Sequence, residues 1–166
     1  MKYLLVYSHP NPKSFCHAIL ETVEETLKSN GHEVVVRDLY ANDFNPVLKG
    51  SDFVAMKSGN IPEDIKKEQD YITWADKIIM VYPIWWTGMP AITKGYIDRV
   101  YSYNFAYSID QNGIVKMLTS KKVYIFNTQG TGAGVYESNG MIQAMEKTSN
   151  VGIFDFCGIE VLGHKF

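Results

Sequence analysis

The sequence predicts an α/β protein built on a doubly wound sheet of five parallel strands with helices on both faces. Short apolar runs at residues 3–7, 33–36, 78–82, 122–126 and 159–162 have the length of buried strands, and stretches with helical character separate them. The 166 residues suffice for one domain, residues 1–166, that buries roughly two-thirds of its unfolded surface. A net charge of −2 without blocks of like charge argues against a nucleic-acid binder and points to a small-molecule substrate. The two cysteines, Cys16 and Cys157, show neither CxxC nor Cys/His spacing, so no disulfide framework or metal site is expected, and the chain reads as cytoplasmic. No stretch has the length of a signal-peptide core or a membrane span.

The first strand runs into Ser8-His9-Pro10-Asn11-Pro12-Lys13-Ser14, whose prolines stop any regular structure. Phe15, Ile19, Val23 and Leu27 then recur every four residues, with Glu21, Glu24, Glu25 and Lys28 between them. That spacing predicts an amphipathic helix over Phe15–Ser29, with Ser14 as N-cap and Gly31 just past its end. The second strand leads into a stretch without periodicity through Asn60, longer than a plain connection and so expected to be functional or interfacial. Pro62 opens a charged helix over residues 63–75. The third strand ends at Pro83, and Ile84-Trp85-Trp86-Thr87-Gly88 turns the chain into a helix over residues 90–100, where Ile92, Tyr96, Ile97 and Val100 recur at helical spacing. An aromatic-rich loop from Tyr101 reaches to Ser120. The fourth strand ends in a loop running to Tyr136, in which Gly130, Gly132 and Gly134 permit close backbone approach. A helix over residues 137–150, weakened by Gly140, precedes the fifth strand.

In the flavodoxin-like strand order 2-1-3-4-5, strands 1 and 3 are neighbours at the topological switch point and strand 4 lies beside strand 3. The loops at residues 8–14, 84–88 and 128–136 then meet. The first ends on a helix N-terminus, whose free N–H groups and dipole favour a phosphate, with Ser14 and His9 as further donors. The second offers a flat apolar surface, and the third a bare backbone and Tyr136. Together they describe a pocket for a flavin. Singly, each has a plainer reading. Ser14 serves as a cap alone, His9 is solvated, Trp85 and Trp86 pack in a core or dimer interface, and the glycines, which lack GxGxxG spacing, form a flexible loop. Cys16 has no basic neighbour in sequence, and a structural thiol is expected there.

Several segments spread over nearly the whole chain carry a resemblance. They are Ser8-His9 with Ser14-Phe15, Asp38-Leu39-Tyr40 with Phe44-Asn45-Pro46, Pro83 to Val100, Phe105-Ala106-Tyr107, the glycine segment with Tyr136, and Phe156-Cys157-Gly158. The most specific is Pro83-Ile84-Trp85-Trp86-x-Gly-x-Pro-Ala-Ile-x-Lys-Gly. On these residues the chain resembles the NAD(P)H:quinone oxidoreductases of the flavodoxin-like fold, the DT-diaphorase family. The resemblance implies a homodimeric oxidoreductase with a tightly bound flavin, FAD with FMN as the alternative. It would take hydride from NADH or NADPH and pass two electrons to a quinone or similar acceptor, with ping-pong kinetics.

The same resemblance implies that His9, Ser14, Phe15 and Ala18 hold the flavin phosphate region and that Pro83, Ile84, Trp85, Trp86 and Thr87 line the isoalloxazine. Asn127, Thr128, Gln129 and Gly130 would bind its pyrimidine edge. Tyr136 would be the catalytic donor toward the reduced, anionic flavin. Trp86 and Tyr107 would contact substrate, Tyr107 from within the partner subunit's pocket. Three positions depart from the family's best-known members: Ile142 stands where they carry a relay histidine, Ile109 where they carry a second tyrosine, and Cys16 where they carry an asparagine at the flavin phosphates. The alternative reading is a regulatory flavoprotein subunit of a potassium efflux system. A flavodoxin-type electron carrier fits less well, because such carriers dock through an acidic face.

Overall fold

Side-chain alternation along the strands decides how this sheet is buried. In the computed structural model, which describes residues 1–166 apart from the side chain of Ala133, the chain begins with β1 (Lys2–Tyr7), α1 (Phe15–Ser29), β2 (Glu33–Asp38), α2 (Gly50–Lys57) and α3 (Glu63–Trp74). It continues through β3 (Lys77–Pro83), α4 (Ala91–Val100), β4 (Tyr107–Asp110), β5 (Gly113–Lys116) and β6 (Lys122–Thr128). It ends with α5 (Ala133–Ser138), α6 (Met141–Glu146), a π-helical segment (Lys147–Phe154), a 3₁₀ turn (Asp155–Cys157) and β7 (Glu160–Lys165). The main sheet is all parallel with order β2-β1-β3-β6-β7, which is the expected 2-1-3-4-5. Successive residues of β1 and β3 point to opposite faces, and both sets are buried, as interior positions in a two-sided sheet require.

On one face Leu4, Val6, Ile78, Met80 and Ile125 pack with Ile72 of α3 and Tyr96, Ile97 and Val100 of α4. On the other, Leu5, Tyr7, Ile79 and Val81 pack with Cys16 and Leu20 of α1. Full burial of aliphatic side chains of this size contributes about 1.5–3 kcal/mol each. Register then sets the heights of the loops. Tyr7 pairs with Val81 and Pro83 with Thr128, so β1, β3 and β6 discharge their chains on the same edge of the sheet.

The segment through Asn60 is less irregular than its sequence predicts. Strand β2 extends to Asp38, and α2 forms within the segment. That helix escapes a periodicity search because it presents no apolar stripe: Phe53 and Val54 are exposed, and its one buried residue is Asp52. What holds it is the buried Arg99 of α4. Arg99 Nε lies 3.0 Å from Asp52 Oδ2, and its Nη1 donates to Asp64 Oδ2 at 2.5 Å and to the Asn45 carbonyl at 2.8 Å. Beside it Pro46 lies so close to Gly95 that a Cβ there would come within 2.2 Å of the Pro46 carbonyl oxygen, which gives the Lys94-Gly95 pair a packing reason for its glycine.

The loop expected to run to Ser120 contains the antiparallel hairpin of β4 and β5, separate from the main sheet. Its strands leave Ile109 and Ile114 exposed, so no buried apolar run announces them. The helix expected over residues 137–150 is divided instead. Gly140 adopts φ 77°, in the left-handed region, and separates α5 from α6, which passes into the π-helical segment. The last strand runs over Glu160–Lys165 rather than residues 159–162. Among the described residues, no helix is long and apolar enough to cross a membrane.

Candidate functional site

The loops leaving β1, β3 and β6 enclose a cleft of about 600 Å³. Of the residues singled out from sequence, His9, Ser14, Phe15, Pro83, Ile84, Trp85, Trp86, Thr128, Gln129, Gly130 and Tyr136 line it, joined by Cys16 and Thr131. Three others do not. Ala18 is exposed farther along α1, Thr87 is exposed at the turn, and Asn127 is buried beneath the cleft. Nor is Tyr107 brought to the cleft. It starts the hairpin and packs against Phe156 and Tyr103, with ring centroids 5.2 and 5.8 Å away, beside a separate cavity.

At the first loop, Ser14 caps α1: its extended backbone turns the side chain to accept the His17 N–H at 3.1 Å. The Phe15 and Cys16 N–H groups of the first turn have no helical acceptor and point out of the helix end, where the dipole is positive. Asn11 organises the approach, since its N–H donates to His9 Nδ1 at 3.0 Å and its side-chain oxygen accepts from the Lys13 N–H at 2.9 Å. The His9 ring meets Trp85 edge to face at 6.1 Å. Cys16 is buried, and burial pushes its thiol up to about 11, against a smaller opposing effect of a hydrogen bond with Thr128. It is therefore protonated at neutral pH, in keeping with a structural thiol.

The second loop is a tight reversal. Trp85 and Gly88 exchange backbone hydrogen bonds, both at 3.1 Å, and the two central residues have positive φ, 52° at Trp86 and 55° at Thr87. This is the mirror-image turn that Asn-Gly ordinarily makes, and here a β-branched and an aromatic residue occupy it, at a cost of roughly 1–2 kcal/mol each. The strain projects Trp86 wholly into solvent at the cleft mouth, 100% exposed. At the third loop, Gly130 lines the cleft with an ordinary φ, and a Cβ built there would meet nothing within 4 Å. Neither backbone conformation nor packing within the chain demands a glycine. Gln129 Oε1 is buried without a hydrogen-bond partner. The sequence reads this segment as a loop to Tyr136, but Gly132 caps the short helix α5, which carries Tyr136 half-buried against the core. Ile142, on α6, also packs against that core.

Thr131 is the one cleft residue without a signal of its own in the sequence, apart from its place between Gly130 and Gly132. Chemically the cleft offers backbone N–H donors and the Tyr136 hydroxyl, flat aromatic walls, and a bare stretch of backbone. Among the described residues no three His, Cys, Asp or Glu side chains gather to hold a metal ion. The arrangement suits non-covalent capture of a flat molecule that carries an anionic tail.

The sequence matches the flavodoxin-like fold family over residues 1–166. It is 41% identical to an uncharacterized NAD(P)H oxidoreductase of Haemophilus influenzae over 161 residues, covering 96% of this chain and 80% of that protein. It is 33% identical to NAD(P)H dehydrogenase [quinone] 1 of Rattus norvegicus, again over 96% of this chain, and spans 65% of the length of the rat protein. Among solved structures, the NAD(P)H:quinone oxidoreductase of Methanothermobacter marburgensis superposes with a TM-score of 0.86 at 29% identity, covering 98% of this chain and 86% of that one.

Proposed function

The chain belongs to the flavodoxin-like fold family, and from that premise we propose that it is an NAD(P)H:quinone oxidoreductase working through a flavin held, within one domain, in the cleft between the three strand ends. The observation that carries the reading is Gly130: a cleft-lining residue that nothing inside the chain requires to be glycine, beside a helix N-terminus and two tryptophans. A Cβ at Gly130 would occupy the space that a bound ring needs. The relatives named for NAD(P)H and quinone support the choice of reaction.

In this reading the first turn of α1, with Ser14 and His9, binds the phosphate of the flavin. Pro83, Ile84, Trp85 and Trp86 form one wall for its ring, and Thr128, Gln129 and Gly130 lie along its edge. A bound flavin supplies a two-electron carrier between a nicotinamide and a quinone. The nicotinamide and the acceptor would take turns over the same exposed face of the ring, which gives ping-pong kinetics. The Tyr136 hydroxyl donates a hydrogen bond toward the charge that reduction adds, in a role that Ile142 has no polar atom to share. Exposed Ile109 and Ile114 on the hairpin, with exposed Phe53 beside Tyr107, support a homodimer in which Tyr107 reaches the partner's cleft. Sedimentation at twice the 18.8 kDa chain mass tests that part.

Purified protein is expected to be yellow, to release FAD or FMN identified by mass, and to oxidise NADH or NADPH when a small quinone is added. A colourless protein that takes up neither flavin refutes the proposal.

A further inference from the structure

Beneath the cleft, the buried Asn127 and the partly buried Asn150 meet on either side of a histidine that the proposed reaction does not use. His164 of β7 lies with Nε2 2.6 Å from Asn127 Oδ1 and Nδ1 3.0 Å from the Asn150 carboxamide. The Nε2 proton can be assigned from the Asn127 side. Asn127 commits its NH2 to the carbonyls of Tyr82, at 2.9 Å, and Phe126, at 3.2 Å. Its oxygen therefore faces the imidazole, and His164 Nε2 is the donor. His164 Nδ1 is held from the other side by the Asn150 carboxamide, whose Oδ1 lies 3.0 Å away. Ser149 Oγ stands 3.1 Å from Asn150 Oδ1 and donates to the Met145 carbonyl at 2.7 Å. These side chains link the Met145 carbonyl to that of Tyr82, with an accepting carbonyl at each end.

Both ends matter. Ser149 and Asn150 belong to the π-helical segment, a rare geometry that is frequent at functional sites. Tyr82 and Asn127 are paired residues of β3 and β6, each one step before its strand's last residue. The Asn127 bond to Tyr82 is thus the last side-chain tie between the strands before the two loops separate into opposite walls of the cleft. His164 also borders a second cavity of about 330 Å³, shared with Ile84 and Gly88 on the back of the tryptophan turn.

We infer that His164 is a positioning residue, which holds the Asn127 amide against the Tyr82 carbonyl and so sets the spacing between the Trp85–Gly88 turn and the Thr128–Gly130 backbone. The inference rests on the flavin reading above for its consequence in catalysis, but the tether itself does not. Without the imidazole, Asn127 Oδ1 is a buried acceptor with no donor, and the amide rotates to find one.

The test compares His164→Leu with His164→Gln, since glutamine keeps an N–H for Asn127. His164→Leu is expected to raise the flavin dissociation constant about ten-fold, the cost of one unpaired buried acceptor, and to lower kcat with KM for NAD(P)H unchanged. His164→Gln should restore both to within about two-fold of the parent protein. In flavin-free protein, His164→Leu should speed amide exchange at residues 83–88 and 128–130 but not at residues 8–14. A His164→Leu protein that melts earlier, yet keeps parental flavin affinity and exchange at both walls, overturns the inference. Should that variant fail to fold, Asn150→Ala removes the Nδ1 partner and must show the same selective exchange in smaller measure, and unchanged exchange there is equally fatal. A parent protein that binds no flavin defeats the function proposed above, while the exchange comparison still decides the role of His164.

Discussion

Ile84 donates its backbone N–H to the Thr128 carbonyl at 2.7 Å, and this bond joins the tryptophan turn to the glycine-bearing loop just past the last paired residues of β3 and β6. The walls of the cleft are therefore joined by main chain above the buried Asn127 amide, and their spacing does not depend on which side chains stand at the mouth. Side-chain changes in the cleft should report on what the cleft binds, with little effect on whether the protein folds.

Gly130→Val uses that separation. The added Cβ meets no atom of the protein within 4 Å and φ is ordinary, so the melting temperature of ligand-free protein should stay within about 2 °C. Flavin affinity should fall at least about ten-fold, because the side chain stands where the ring would lie. Thermal melts together with fluorescence titration of added FMN and FAD check both halves. Parental affinity would remove Gly130 from the site.

Strain in the tryptophan turn is also measurable. Thr87, at φ 55°, is a β-branched residue in a conformation glycine adopts freely. Thr87→Gly should stabilise the protein by about 1 kcal/mol, a rise of about 2–4 °C in Tm for a chain of this size. A lower Tm in calorimetry would mean that Thr87 makes a contact worth more than the strain.

Both thiols are predicted to be inert in the native protein. Cys16 and Cys157 are buried, and burial pushes each up to about 11, so at neutral pH each is almost wholly in the unreactive thiol form. Iodoacetamide should label neither in the folded protein and both in urea, as read by intact mass. Rapid native labelling of Cys16 would show that the helix N-terminus outweighs burial.

How much of this was legible in the sequence follows from where each signal resides. The five strands and the loops after them follow from apolar runs such as Ile78–Tyr82 and from turn residues, both local, and the three loops meet once those strands take the flavodoxin-like order. The N-cap role of Ser14 was visible for the same reason. The second helix was not, because Gly50–Lys57 is held by a buried charge, Arg99, forty-seven residues beyond its partner Asp52, and no window on the sequence spans that pairing. The hairpin went unseen because its side chains face solvent on a single chain. Trp86 was expected as a ring contact, but nothing in the sequence says that positive φ at two successive residues would throw it clear of the protein. His164, in a short polar strand end, gains its meaning only when β7 is laid beside Asn127.

Stability against acid should be lost in two steps with different owners. Burial lowers the His164 pKa from its ordinary 6.5 to about 4, so the folded protein favours the neutral ring. As pH falls below about 6.5 the unfolded chain takes up this proton first. The contribution is therefore complete above 6.5 and disappears as pH drops toward 4, on the order of 2 kcal/mol once solvent screening of the partly buried ring is allowed for. Asp52 acts lower. Burial pushes its carboxyl up, but the Arg99 guanidinium and the Lys49 N–H outweigh burial and hold it below the usual carboxylate range. Its contribution is present above that range and is lost only as pH falls through the lowered value. Urea midpoints measured at successive pH values should thus be level above about pH 7, decline toward pH 4, and decline again below it. In His164→Gln the first decline should vanish and the second persist. A variant curve that bends with the parent's above pH 4 would assign the first step to another group and leave His164 charged in the fold.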